Sequence, residues 1–172
     1  PQTHTLTADA TSGAGAADVG VAGSVAINLV DTITRAEIGT GATVGVNNGA
    51  FNVTAASTTN STTKAQPTDG GATGDVGVGA SVSVAVIENT VTAEVKDTAT
   101  VQEYGGGKPT NVSVKATGFH ITTTEAQNGA SGDSVAVAAA VAVAVVDNTT
   151  TARIGTGVTL PFTGNAEIIA TH

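Results

Sequence analysis

Large and small side chains alternate with period two over three long stretches of this chain. Val19, Val21, Val25, Ile27 and Leu29 hold every second position of the first stretch, against Gly20, Ala22, Ser24, Ala26 and Asn28. The pattern returns at Val76, Val78, Val82, Val84 and Val86, against Gly77, Gly79, Ser81, Ser83 and Ala85. It returns again at Val135, Val137, Val141, Val143 and Val145, against Ala136, Ala138, Ala140, Ala142 and Ala144. Period two is the signature of a strand. Even the Ala-rich third stretch is expected to be extended, because a helix would space its valines by three and four. Each run reaches roughly 40 Å at the strand rise of about 3.3 Å per residue.

Neither face of these runs is charged, so both are expected to be covered. The larger face is expected to form the core, through Val21, Val25, Ile27, Val78, Val82, Val84, Val137, Val141 and Val143. On that expectation, Asp at Val82 or Val141 would bury an unpaired charge and unfold at least its repeat. Gly23, Ala80 and Ala139 interrupt the valine face midway, where a bend or bulge is expected. A turn is expected at Asp31, Glu88 and Asp147, followed by a second alternating strand in each copy. In that strand Ala36 and Ile38, with their equivalents, would point inward. Arg35, Glu37, Thr92, Glu94, Thr151 and Arg153 would face solvent, with Glu37, Glu94 and Arg153 along one surface line.

The three stretches are copies of one unit. Ala36, Ala93 and Ala152 are equivalent, at periods of 57 and 59 residues, and Ile38, Val95 and Ile154 follow each by two positions. The third copy carries one extra residue near Ser134. Each valine core leads through a Gly/Asn/Pro loop to a further strand-like segment: FNVTAAS, NVSVKATG and AEIIATH. Thr-rich segments and Gly-rich loops (TSGAGAAD, PTDGGATGD, NGASGD) then lead into the next core. Regular self-similarity of this length marks a solenoid or array. The expected fold is all-β: a parallel β-helix of three repeats over residues 3–58, 59–118 and 119–172, forming a single segment over 1–172.

Composition agrees with this reading. The 172 residues include 22 Gly, are 40% hydrophobic, and are only 12% charged and 2% aromatic, so the apolar mass is aliphatic and largely β-branched. The net charge of −8, with no basic cluster, excludes nucleic acid as a partner and a polybasic membrane patch. No apolar run approaches the roughly 18 residues of a spanning helix, so membrane insertion by helices is excluded. With no Cys, thiolate sites and disulfides are excluded. The sequence opens at Pro1 without a signal-like segment, as expected of a processed chain or a fragment.

The blocks VGVGASVSVAVIENTVTAEV and VAVAVVDNTTTARIGTGVTL resemble the tandem repeats of giant bacterial exoproteins, the filamentous-haemagglutinin-like and leukotoxin-type filamentous adhesins. The resemblance covers all three copies. It implies a parallel β-helix on, or shed from, the cell surface, exported by two-partner or related type V secretion, with no catalytic residues to carry over.

Chemistry is sparse. His4 and His120 share a register in which copy two has Thr59, so a coil offers one imidazole at most, short of a zinc site. No GxSxG elbow supports a hydrolase, and the carboxylate and aromatic groups of a polysaccharide-cleaving groove do not recur in register. Thr ladders of an ice-binding kind lack constant register. The Gly-rich loops hold Asp18, Asp69, Asp75 and Asp133, oxygen donors of the type calcium prefers, without matching a β-roll or EF-hand motif. Loop capping by Asp18, Asp75 and Asp133 is the preferred reading, calcium the alternative. No cofactor is expected otherwise, and no enzyme activity. The expected role is that of a structural repeat segment of a large extracellular bacterial adhesin or stalk. Its partners would be neighbouring repeats, copies of the same chain, or ligands on host or neighbouring cells. The alternative is a filament subunit stacking end to end through open β edges.

Overall fold

A computed structural model describes the backbone of residues 1–172 and the side chains of all but residues 69 and 70. The described chain is strand and turn, without helix. It contains β1 (Gln2–Gly15), β2 (Val19–Ile38), β3 (Thr43–Val46), β4 (Ala50–Val95), β5 (Thr100–Glu103), β6 (Asn111–Ala126), β7 (Ala130–Ile154) and β8 (Ala166–Thr171). Six of these form one parallel sheet with β4 at its centre, while β3 and β5 pair separately. The sheet curls into a half-barrel.

The repeats pair in the register that their sequence similarity predicts. Val19, Gly20 and Val21 lie beside Val76, Gly77 and Val78, and Ala36 and Ile38 beside Ala93 and Val95. Ala93 and Val95 lie in turn beside Ala152 and Ile154. The extra residue of the third copy is absorbed where expected, as an irregularity between Gly74 and Val76 opposite Gly132 to Val135. Two other expectations fail. Register continues unbroken through Gly23, Ala80 and Ala139, and no turn intervenes at Asp31, Glu88 or Asp147. The strands run through both places because β-branched residues and in-register partners continue on either side.

Which face turns inward is the main correction. Val21, Val25, Ile27, Val137, Val141 and Val143 are exposed, and Val78, Val82 and Val84 are half-buried. Val25 is 62% exposed and its neighbour Ala26 is 3% exposed. The reason is the narrow space between the start of each valine strand and the Gly-rich segment of the next repeat. A Cβ at Gly20, Gly77 or Gly79 would collide with the backbone carbonyl of Thr73, Ser131 or Gly129 respectively. Backbone approaches backbone there, so only the Gly/Ala/Ser face fits inside. Asp at Val82 or Val141 therefore meets solvent, and the unfolding expected from a buried charge has no basis.

Side chains bridge the valine and Thr-rich strands. Asn28 Nδ2 donates to Ser61 Oγ at 3.1 Å, and Ser83 Oγ donates to the Thr63 carbonyl at 3.1 Å. Along the stack Ser24 Oγ and Ser81 Oγ share a bond of 2.8 Å, and Asn89 Nδ2 donates to Asn148 Oδ1 at 2.7 Å. The apolar core sits at the other end of each repeat. Val91, Ala93 and Val95 meet Ala99 and Val101 beside β5, and Phe51, Val53, Ala55, Val112, Val114 and Ala116. Ala36, Ile38, Ala152 and Ile154 pack against it, pointing inward as predicted.

The turns that follow also stack. Gly41, Thr98 and Gly157 have φ of 66°, 59° and 69° at equivalent positions. Ala42 N–H donates to the Gly39 carbonyl at 3.1 Å and Ala99 N–H to the Lys96 carbonyl at 3.3 Å, closing tight turns. Thr98 alone places a β-branched side chain in the left-handed region, a cost of about 1–2 kcal/mol. Thr98→Gly, matching its two neighbours in the stack, should raise stability by about 1 kcal/mol in denaturant unfolding. A loss of stability would show that the Thr98 side chain contributes more than its backbone strain costs.

Candidate functional site

The dominant surface feature is the outward valine face. Its columns run across the stacked repeats: Val19, Val76 and Val135; Val21, Val78 and Val137; Val25, Val82 and Val141; Ile27, Val84 and Val143; Leu29, Val86 and Val145. Exposure reaches 73% at Leu29 and 56% at Val145. Together these side chains present on the order of 1,000 Å² of apolar surface, against the few hundred Å² of a typical monomer's largest patch. The face follows the outer side of the curled sheet, and its columns are even because the register holds. Gly23, Ala80 and Ala139 form a shallow trough across it. Beyond the last apolar column lies a carboxylate row, Asp31, Glu88 and Asp147.

The alternating pattern showed this face and its residues but placed them in the core. A signal for the opposite assignment was present in Gly20, Gly77 and Gly79, which occupy the facing side where the turn is tightest.

The Glu37, Glu94 and Arg153 line forms as expected from the register. Glu94 is buried, however, and receives the Arg153 guanidinium from the next strand. Glu37 pairs with Lys96 Nζ at 2.8 Å, and that hydrogen bond, more than the burial opposing it, holds its carboxyl below the usual range.

The loop acids Asp18 and Asp75 lie side by side on adjoining repeats, where the Val76 N–H donates to the Asp18 carbonyl at 2.9 Å. Asp18, Asp75 and Asp133 are exposed, and among the described residues no hydrogen bond reaches their carboxylates, so the capping role has no support. The side chain of Asp69 lies outside the described residues. Asp97 instead accepts a loop hydrogen bond, from the Thr156 N–H at 2.8 Å. Among the described residues no group of three or more His, Asp or Glu is placed to hold a metal ion, and no pocket opens.

His4, Thr59 and His120 form one column, as their shared register predicts. His120 stacks instead on His172, with ring centroids 5.3 Å apart and planes tilted by 33°. Among the described residues neither nitrogen of His120 has a hydrogen-bond partner. Partial burial, and then the charge of His172, push the His120 pKa below the ordinary imidazole value of 6.5. A depressed imidazole pKa means that the unfolded chain takes up the proton first. Stability is therefore unaffected above pH 6.5 and falls as the pH drops below it. The thermal midpoint should drop between about pH 7.5 and pH 5, and His120→Gln should flatten that drop. A drop of the same size in the variant would assign it to other groups.

Comparison with protein-family models finds no match, and neither do searches of curated proteins and of solved structures. No helix of the described chain is long and apolar enough to cross a membrane.

Proposed function

We propose that this chain is a structural repeat segment of a large extracellular bacterial adhesin or surface stalk, in which successive repeats wind into a parallel β-helix. It supplies reach and surface rather than catalysis. The observation that carries this reading is the in-register parallel pairing of the three repeats through whole strands. Such a stack lengthens by adding copies, and each repeat contacts only its neighbours. The resemblance of the valine blocks to giant exoprotein repeats supports the same role and an extracellular site.

A second reading rests on the outer edges. Both β2 and β7 pair only with β4, leaving an unpaired edge along 20 residues on one side and 25 on the other. The two edges are equivalent segments running in the same direction, so the edge of one chain can accept the opposite edge of another. On this reading the chain is the subunit of an end-to-end filament.

A tandem fusion of two copies of the chain distinguishes the possibilities by small-angle scattering. A continuous stack keeps its cross-section and lengthens by about 14 Å, three rungs at the β spacing. Two independent lobes joined by a hinge would contradict the stalk. Open-ended fibres formed by the unfused chain, growing with concentration, would favour the filament.

A further inference from the structure

The outward valine face is more than a solvated surface, and its relief indicates what covers it. We infer that two copies of this chain pair face to face through their valine columns, with strands antiparallel across the interface.

Area is the first support. A face on the order of 1,000 Å² is comparable with the ~800 Å² that each partner contributes to a standard stable interface. Left in water it would be an aggregation liability in a chain this poorly charged.

Relief is the second. The apolar columns stand in the order Val19, Val21, trough, Val25, Ile27, Leu29, with the trough at Gly23, Ala80 and Ala139. A two-fold axis lying in the interface and parallel to the stacking direction, between the Gly23 and Val25 columns, sets each Val25–Val82–Val141 ridge into the partner's trough. The same operation places the Val19 column against Leu29 and the Val21 column against Ile27. Each of the six columns then has a partner column opposite it, as in the interdigitated faces of packed sheets.

The relief also selects the axis. The other two-fold arrangement, with its axis along the strands, would set trough on trough and the Asp31–Glu88–Asp147 row against its own copy. In the antiparallel arrangement that row lies at the margin, opposite the loop of the partner that carries Asp18, Asp75 and Asp133, so the choice of axis rests on relief and not on charge. A lipid surface gains nothing from the trough, and stacking through strand edges does not cover this face at all.

The test is a fill-and-shave pair examined by sedimentation equilibrium of the full chain, with circular dichroism confirming that each variant keeps its β spectrum. Ala80, Ala139 and the Val25 column all point outward, so these substitutions leave the inner face intact. Wild type should reach twice its 16.5 kDa mass and stop there. A80V/A139V fills the trough and should weaken the dimer by about tenfold or more, although it adds apolar surface. V25A/V82A/V141A lowers the ridge and should weaken it comparably. Mixing the two variants should restore a dimer, since the filled trough then meets the lowered ridge. Four results would overturn the inference: wild type remaining monomeric at about 100 µM; A80V/A139V pairing as tightly as wild type or more so; no rescue on mixing; or a monomer that floats with phosphatidylcholine vesicles.

Discussion

Every other feature of this molecule follows from the main-chain ladder that locks each repeat to the next in register. Because residue pairs with equivalent residue along entire strands, like side chains stack on like. The ladder places Ser24 beside Ser81, Asn89 beside Asn148 and one valine beside another. It also aligns the strained turn of Thr98 with those of Gly41 and Gly157, and a Glu94 carboxylate with the guanidinium of Arg153. A shift of one residue would exchange the two faces and break all of these at once. The irregularity beside Gly74 restores register after the extra residue of the third repeat, and a second, between Ser12 and Ala14, does the same where β1 runs beside the longer Gly-rich segment of β4.

The ladder leaves one choice open, which face goes inside, and sterics decides it. At the turn the two layers come so close that Gly20, Gly77 and Gly79 lie against the backbone carbonyls of Thr73, Ser131 and Gly129, and bulk is excluded. The interior there is Ala, Ser, Thr and Asn, and several of its hydroxyls, at Ser57, Thr59 and Thr63, lack a protein partner. Each such group opposes stability by about 1–3 kcal/mol. Cohesion must come from the continuous backbone ladder and from the aliphatic core around Val91, Val95, Val101 and Val114 at the opposite end. The large residues of the valine strand are left outside, where a binding partner rather than the fold can use them.

Much of this was legible in the residues. The all-β class, the three repeats, their register, the site of the extra residue and the inward Ala36 and Ile38 all follow from periodicity alone. Alternation defines two faces without ranking them, however, and ranking by hydrophobicity put Val21, Val82 and Val141 in the core. The size of the facing residues was the better guide, because Gly20, Gly77 and Gly79 mark where backbone meets backbone. The expected turns at Asp31, Glu88 and Asp147 failed for a related reason. A charged residue on an outward column need not end a strand whose inner face continues unchanged. The His120–His172 contact was within reach of the same register, since Thr117 pairs with Thr171 and so brings His172 beside Gly118, two residues from His120.

Because the chain has no native cysteine, which face of the valine strand is turned to solvent can be measured directly. Single cysteines at Val82 and at Ser83, adjacent in sequence and on opposite faces, can be challenged with a soluble thiol reagent at low protein concentration. With the valines outside, the Val82 position reacts at close to the rate of a free thiol, while the Ser83 position reacts only on unfolding. Protection at position 82 with free reaction at position 83 would place the valines inside and contradict that orientation.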